Sequence, residues 1–183
     1  MNSTKVITGK NTIMSYLTVN EPKVPLGGGT PKYSVSLIIP KSDTATVQRI
    51  NEAMKAAYNE GLSKLQGNSK TVPDYETLKK PLRDGDREFP DDESYAGYMF
   101  VNANNTQAPG IVDAERQPII EHREIYSGVF GRASISFFAF NNNGNKGIAC
   151  SLNNLQKIKD GTPLGGHSRA EDDFADDDED FLS

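Results

Sequence analysis

The chain has 183 residues, room for one domain with a genuine core; its single cysteine, Cys150, excludes an internal disulfide and, with two histidines, cannot furnish a Cys/His zinc site without several carboxylates. No stretch approaches the roughly 20 apolar residues that span a bilayer, and the N-terminus lacks the apolar run of a signal peptide, so a soluble protein of a reducing cytoplasm is expected. The formal charge of −5 conceals an asymmetry: eight of the 25 acids stand in residues 171–183, which leaves 17 acids against 20 Lys and Arg in residues 1–170.

Thr12 to Val19 alternates, with Ile13, Leu17 and Val19 on one side and Met14 and Tyr16 on the other, the period of a half-buried strand. Asn20 to Lys32 holds three prolines and Gly27, Gly28 and Gly29, and reads as a long connection; no Gly-Lys-Ser/Thr follows, so it is not a phosphate-binding P-loop. A second strand covers Tyr33 to Ile39. Ser42 or Asp43 can cap a helix whose apolar positions Val47, Ile50, Met54, Ala57, Tyr58, Leu62 and Leu65 recur at steps of three and four, with a break foreseen at Gly61. Residues 67–93 read as a long polar surface excursion.

Strands return at Gly97 to Ala103, Ile111 to Val112 and Ser127 to Phe140. Asn141 to Gly147 (NNNGNKG) reads as a hairpin connection into Gly147 to Leu152, and Leu152 to Ile158 as one or two helical turns. Strands around one long helix, two of them before it, make the fold class mainly β with one long helix, a small antiparallel barrel with long loops. The expected division is a domain over residues 1–167 and a disordered acidic tail over 168–183.

The strand near Val129 to Phe140 puts Val129, Ala133, Ile135, Phe137 and Ala139 on one face and Phe130, Arg132, Ser134, Ser136, Phe138 and Phe140 on the other. Residues 97–103 divide similarly, Met99 and Val101 against Tyr98, Phe100 and Asn102. Aromatics interleaved with cations and small polar residues suit single-stranded nucleic acid, because every base has a face to stack and cations track phosphates. From these faces Tyr16, Tyr98, Phe100, Phe130 and Phe138 are expected as stacking platforms, and Lys32, Arg83, Arg132 and Lys146 as phosphate contacts. The alternative for each ring is an ordinary place in a second core.

The C-terminal acids, with Asp176, Asp177, Asp178, Glu179, Asp180 and Phe181 at their centre, can imitate a polyanion and dock a partner; the alternative is a merely solvating segment. Two other function classes stay open. A metal-dependent nuclease would gather Asp84, Asp86, Asp91, Asp92 and Glu93 around Mg²⁺, and a non-nucleic-acid interaction protein would need none of these faces. A nucleophile built from Cys150 with His122 or His167 is weaker, since Cys150 lies in an apolar strand. No cofactor is implied.

PLRDGD (81–86), AGYMFVNANN (96–105), PGIVD (109–113) and EIYSGVFGRASISFFAFNNNGNKGIACSLNNLQKIKDGTPLGG (124–166) resemble a bacteriophage family of single-stranded DNA-binding proteins, long catalogued only as a domain of unknown function. The resemblance runs from about Lys5 to the acidic terminus. It implies an OB-fold barrel that binds single-stranded DNA in phage replication, recombination or repair in the host bacterial cytoplasm. It also implies an acidic tail that contacts phage or host replication and recombination proteins, although Leu182 and Ser183 follow Phe181 here instead of leaving the aromatic last. Monomer and homodimer are both compatible with the sequence.

Overall fold

Alternating sequence becomes alternating burial along the strands of the computed structural model, which describes residues 3–25 and 27–164. The elements are β1 (Lys5–Ile7), β2 (Thr12–Lys23), β3 (Lys32–Pro40), α1 (Thr44–Glu60), α2 (Leu62–Gln66), β4 (Leu82–Asp84), α3 (Gly85–Glu88), β5 (Tyr98–Asn105), β6 (Gly110–Val112), β7 (Phe130–Asn142) and β8 (Asn145–Lys159). Five of them form a ring, β2-β3-β5-β8-β7, in which β7 pairs back to β2. β1, β4 and β6 extend it by pairing with β7, β5 and β8.

The small, mainly antiparallel barrel expected from the sequence is present, with one parallel junction in its ring. β5 and β8 run parallel and meet at the single pair Asn104↔Ser151. A ring of five strands cannot alternate direction all the way round, so one neighbouring pair must be parallel. Inside lie Met14, Leu37, Ile39, Val101, Ile135, Leu152 and Leu155, each at most 1% exposed.

α1 starts where Asp43 Oδ1 accepts the Thr46 N–H at 3.2 Å, and its buried stripe of Ile50, Ala53, Met54 and Ala57 joins this core while the helix packs on β7, β1 and β8. The helix breaks at Gly61 as expected. Space accounts for the glycine: a Cβ there would run into the Cβ of Ala139 on β7.

Two expectations are corrected. Leu152 to Ile158 is strand, the continuation of β8, not helix. Ser134 pairs with Asn154 but Ile135 with Leu152, so Asn153 is an extra residue; the bulge brings Leu152 and Leu155 inward three positions apart and imitates a helical step. Residues 67–93 are not a free excursion, because β4 pairs with β5 from Leu82↔Val101 to Asp84↔Met99 and α3 follows at once. The hairpin expectation holds: Asn142 pairs with Asn145 around Asn143 (φ 54°) and Gly144 (φ 90°), the left-handed pair that suits a two-residue turn.

Gly61→Ala would ordinarily gain helix stability of about 1 kcal/mol. Here it is expected to destabilise by about 1–3 kcal/mol, because the new methyl overpacks against Ala139. Urea unfolding of the variant checks this.

Candidate nucleic-acid interface

Register lays the outward residues of β2, β3 and β5 in rows. Ile13, Ile38 and Phe100 are direct cross-strand neighbours, followed by Ser15, Ser36 and Asn102, then Thr18, Ser34 and Asn104, and finally Lys23 opposite Lys32. The surface therefore grades from apolar to polar to cationic toward the β2–β3 loop.

Tyr16 reaches this face through a bulge. Ser15 pairs with Ser36 but Thr18 with Ser34, leaving one extra residue in β2, and Tyr16 takes φ 47°. That left-handed conformation is usually a glycine's place, and it turns the ring outward, 70% exposed. The expected sidedness of β2 is corrected accordingly: Met14, Leu17 and Val19 point to the core, and Ile13 and Tyr16 to the outside.

Residues 85–97 fold over the apolar row. Phe89, Tyr95 and Phe100 form a triangle of rings with centroids 4.6, 5.4 and 5.2 Å apart. Burial pushes the Tyr95 phenol up from its ordinary pKa.

Lys41 pins this segment down, its Nζ 2.8 Å from Asp84 Oδ1 and 2.7 Å from Asp86 Oδ2. Asp86 also accepts the Gly97 N–H at 3.1 Å, and the Lys41 N–H donates to Gly97 O at 3.0 Å. Hydrogen bonds from Lys41 hold both carboxyls below the usual Asp range, and those carboxyls raise the Lys41 pKa. Gly85 has no room for a side chain, since a Cβ would sit 2.5 Å from Tyr95 O. The PLRDGD segment is thus a structural fastening.

The result is a groove of about 580 Å³ lined by Tyr16, Lys23, Lys32 and Phe89 above a floor of Ser34, Ser36, Tyr95, Phe100, Asn102 and Asn104. Its lining contains two lysines and no carboxylate, and neither lysine makes an ion pair among the described residues.

A family described as Enterobacter phage Enc34, ssDNA-binding protein, matches residues 4–182. The chain belongs to this family. Protein p50 of Acyrthosiphon pisum secondary endosymbiont phage 1 is 30% identical over 163 residues, covering 85% of this chain and 84% of that one. The single-stranded DNA-binding protein from bacteriophage Enc34, solved in complex with ssDNA, superposes with TM-score 0.75 at 26% identity over 89% of this chain and 90% of its own. The bacteriophage T7 protein gp2.5 shares the fold, with TM-score 0.57 at 17% identity over 94% and 93% of the two chains.

In this member of the Enc34 family, Tyr16, Lys32 and Phe100 come together in the groove, while the other expected contacts are divided. Phe100 is 2% exposed, so it offers no free ring face and serves as floor, a correction to its expected stacking role. Tyr98 is half-buried against the same cluster, and Arg83 borders it with its guanidinium 5.9 Å from the Phe100 ring. Phe130 pairs with Ile13 at the end of the apolar row, beneath Lys159 Nζ at 4.7 Å. Tyr98, Arg83 and Phe130 are thus outside the groove lining, and so are the remaining three. Arg132 donates to Thr8 O at 3.3 Å, Phe138 is exposed on the outer face of β7, and Lys146 holds the hairpin to Ser69 Oγ at 2.9 Å. Asp176 to Phe181 and His167 lie outside the described residues.

Sequence reasoning missed Phe89, Tyr95 and Lys23. The one available signal was a phenylalanine standing among charges at Glu88-Phe89-Pro90. As for the rival chemistries, the Lys41 ammonium sits between Asp84 and Asp86, where a nuclease would need its metal, and Asp92 Oδ1 accepts the Ser94 N–H. Burial pushes the Cys150 thiol far up, away from the thiolate a nucleophile needs.

The fastening has a calculable pH dependence. Carboxyls lowered by Lys41 contribute stability that is complete above the ordinary Asp pKa of 3.8 and lost as pH falls through the depressed values. The raised Lys41 contributes below 10.5, and its share is lost as pH rises past its raised value. Lys41→Met is expected to remove the alkaline limb, to shrink the acid limb to the share due to backbone hydrogen bonds at Asp84 and Asp86, and to speed amide exchange at Gly97, measured by NMR across pH.

Proposed function

We propose that the protein binds single-stranded DNA without reading its sequence, stacking bases on Tyr16 and Phe89 and seating phosphates on Lys23 and Lys32. The observation that carries this is the lysine pair. Like charges directly opposite on neighbouring strands cost stability, and no carboxylate in the groove relieves them, so a phosphate is the missing counter-charge. The Enc34 protein solved with ssDNA supports the choice of ligand. Stacking on exposed rings and charge contact with phosphate need no particular base, which makes the activity one of binding rather than catalysis.

The tail enters as a competitor. Leu164, the last described residue before the acidic segment, lines a cleft with Tyr16, and its N–H donates to Ser127 O at 2.8 Å. Six residues lie between it and Glu171, a reach of at most about 25 Å of extended chain, and Tyr16 lines both this cleft and the groove, so the carboxylates can compete at the groove from that side. In this reading DNA displaces the tail, which is then free to recruit phage or host replication and recombination proteins.

Tyr16→Gly is the sharpest test. Glycine accepts φ 47° without the left-handed penalty, so the fold should not be destabilised, while loss of the ring weakens oligothymidine binding by about 1–3 kcal/mol, roughly 5- to 150-fold. Thermal unfolding and fluorescence anisotropy read the two effects separately, and equal affinity would refute the stacking role. Replacing Lys23 and Lys32 together by alanine should make the salt dependence shallower by about 1.4 in log–log slope. Deleting residues 171–183 should tighten binding at low salt; an unchanged affinity would count against competition by the tail.

A further inference from the structure

Beyond the Asn102–Asn104 edge of β5 lies a second depression, of about 900 Å³, which shares those two asparagines with the first groove. It exists because β5 and β8 have only one paired position, so the segment before β4 can thread beside β8, with the Ile148 N–H donating to Lys79 O at 2.9 Å. Its lining holds four cations, Lys79, Lys80, Arg83 and Arg87, and no aromatic ring.

Two of the cations are committed elsewhere. Arg83 Nη2 pairs with Glu88 Oε2 at 3.2 Å, and Lys80 donates to Tyr75 O at 2.6 Å beneath the Tyr75 ring. The carboxylates are committed too, Glu88 to Arg83 and Asp84 to Lys41. What remains, among the described residues, is Lys79, whose ammonium donates to Asn145 Oδ1 at 3.3 Å and makes no ion pair, and Arg87, which has no ion-pair partner. Both are exposed.

We propose that this depression is a phosphate track that lengthens the binding footprint: a strand leaving the stacking groove crosses the Asn102–Asn104 edge and lays its backbone against Lys79 and Arg87. This rests on the single-stranded DNA reading above. Without a ring the track cannot stack bases; with two uncommitted cations and the edge amides it can hold a polyanionic backbone. The first groove alone would then suffice for a short oligomer, and only a longer one would engage the track.

The test compares oligothymidines of about 4 and about 16 nucleotides, the ends of the range for one OB fold. In the full-length protein, Lys79→Ala with Arg87→Ala should weaken the longer oligomer and reduce its log–log salt slope by about 1.4, leaving the shorter unchanged. Equal loss on both lengths, or loss on neither, overturns the track while the Tyr16 and lysine-pair results still stand. A wild-type protein that binds neither length overturns the proposed function and the track with it.

Discussion

Everything in this molecule depends on β3 and β5 having two committed faces held in one register. Val35, Leu37 and Ile39 of β3 and Val101 and Ala103 of β5 seal the barrel, while Ser34, Ser36, Asn102 and Asn104 between them pave the groove. A slip of one residue would send the aliphatic set into water, at about 1.5–3 kcal/mol for each large side chain. The core thereby dictates the order of the outer rows, and the binding face needs no separate device to hold it.

The same period-two logic explains what could be read from sequence. The division of β5 and β7 into apolar and polar-aromatic faces was legible because alternation runs unbroken there. Where a bulge intervenes, alternation misleads: it assigned Tyr16 to the same side as Met14, and it made Leu152 and Leu155 look helical. Nor does alternation say which outward faces adjoin. Phe138 and Arg132 face outward as read, but ring closure carries the outer face of β7 away from the Tyr16 groove, whereas Phe89 arrives from a loop whose charges made it look merely solvated.

Charge is distributed with equal economy. Three acids of the segment over the groove are tied to specific cations, Asp84 and Asp86 to Lys41 and Glu88 to Arg83, and these fasten the aromatic wall instead of repelling a polyanion. Among the described residues Lys23 and Lys32, at the mouth, make no ion pair. In sequence the acids of residues 171–183 follow Leu164, which lines a cleft with Tyr16. PLRDGD, which looked like a candidate metal loop, contributes by geometry: it places Phe89 and Tyr95 over Phe100.

The most direct measurement is a residue-resolved NMR titration with oligothymidine. Ring and side-chain resonances of Tyr16, Phe89, Lys23 and Lys32 should shift first and most, with Phe138 on the far face of β7 unmoved. Shifts centred on Phe138 and Arg132, with Tyr16 silent, would contradict the groove over β2, β3 and β5 as the place where DNA binds.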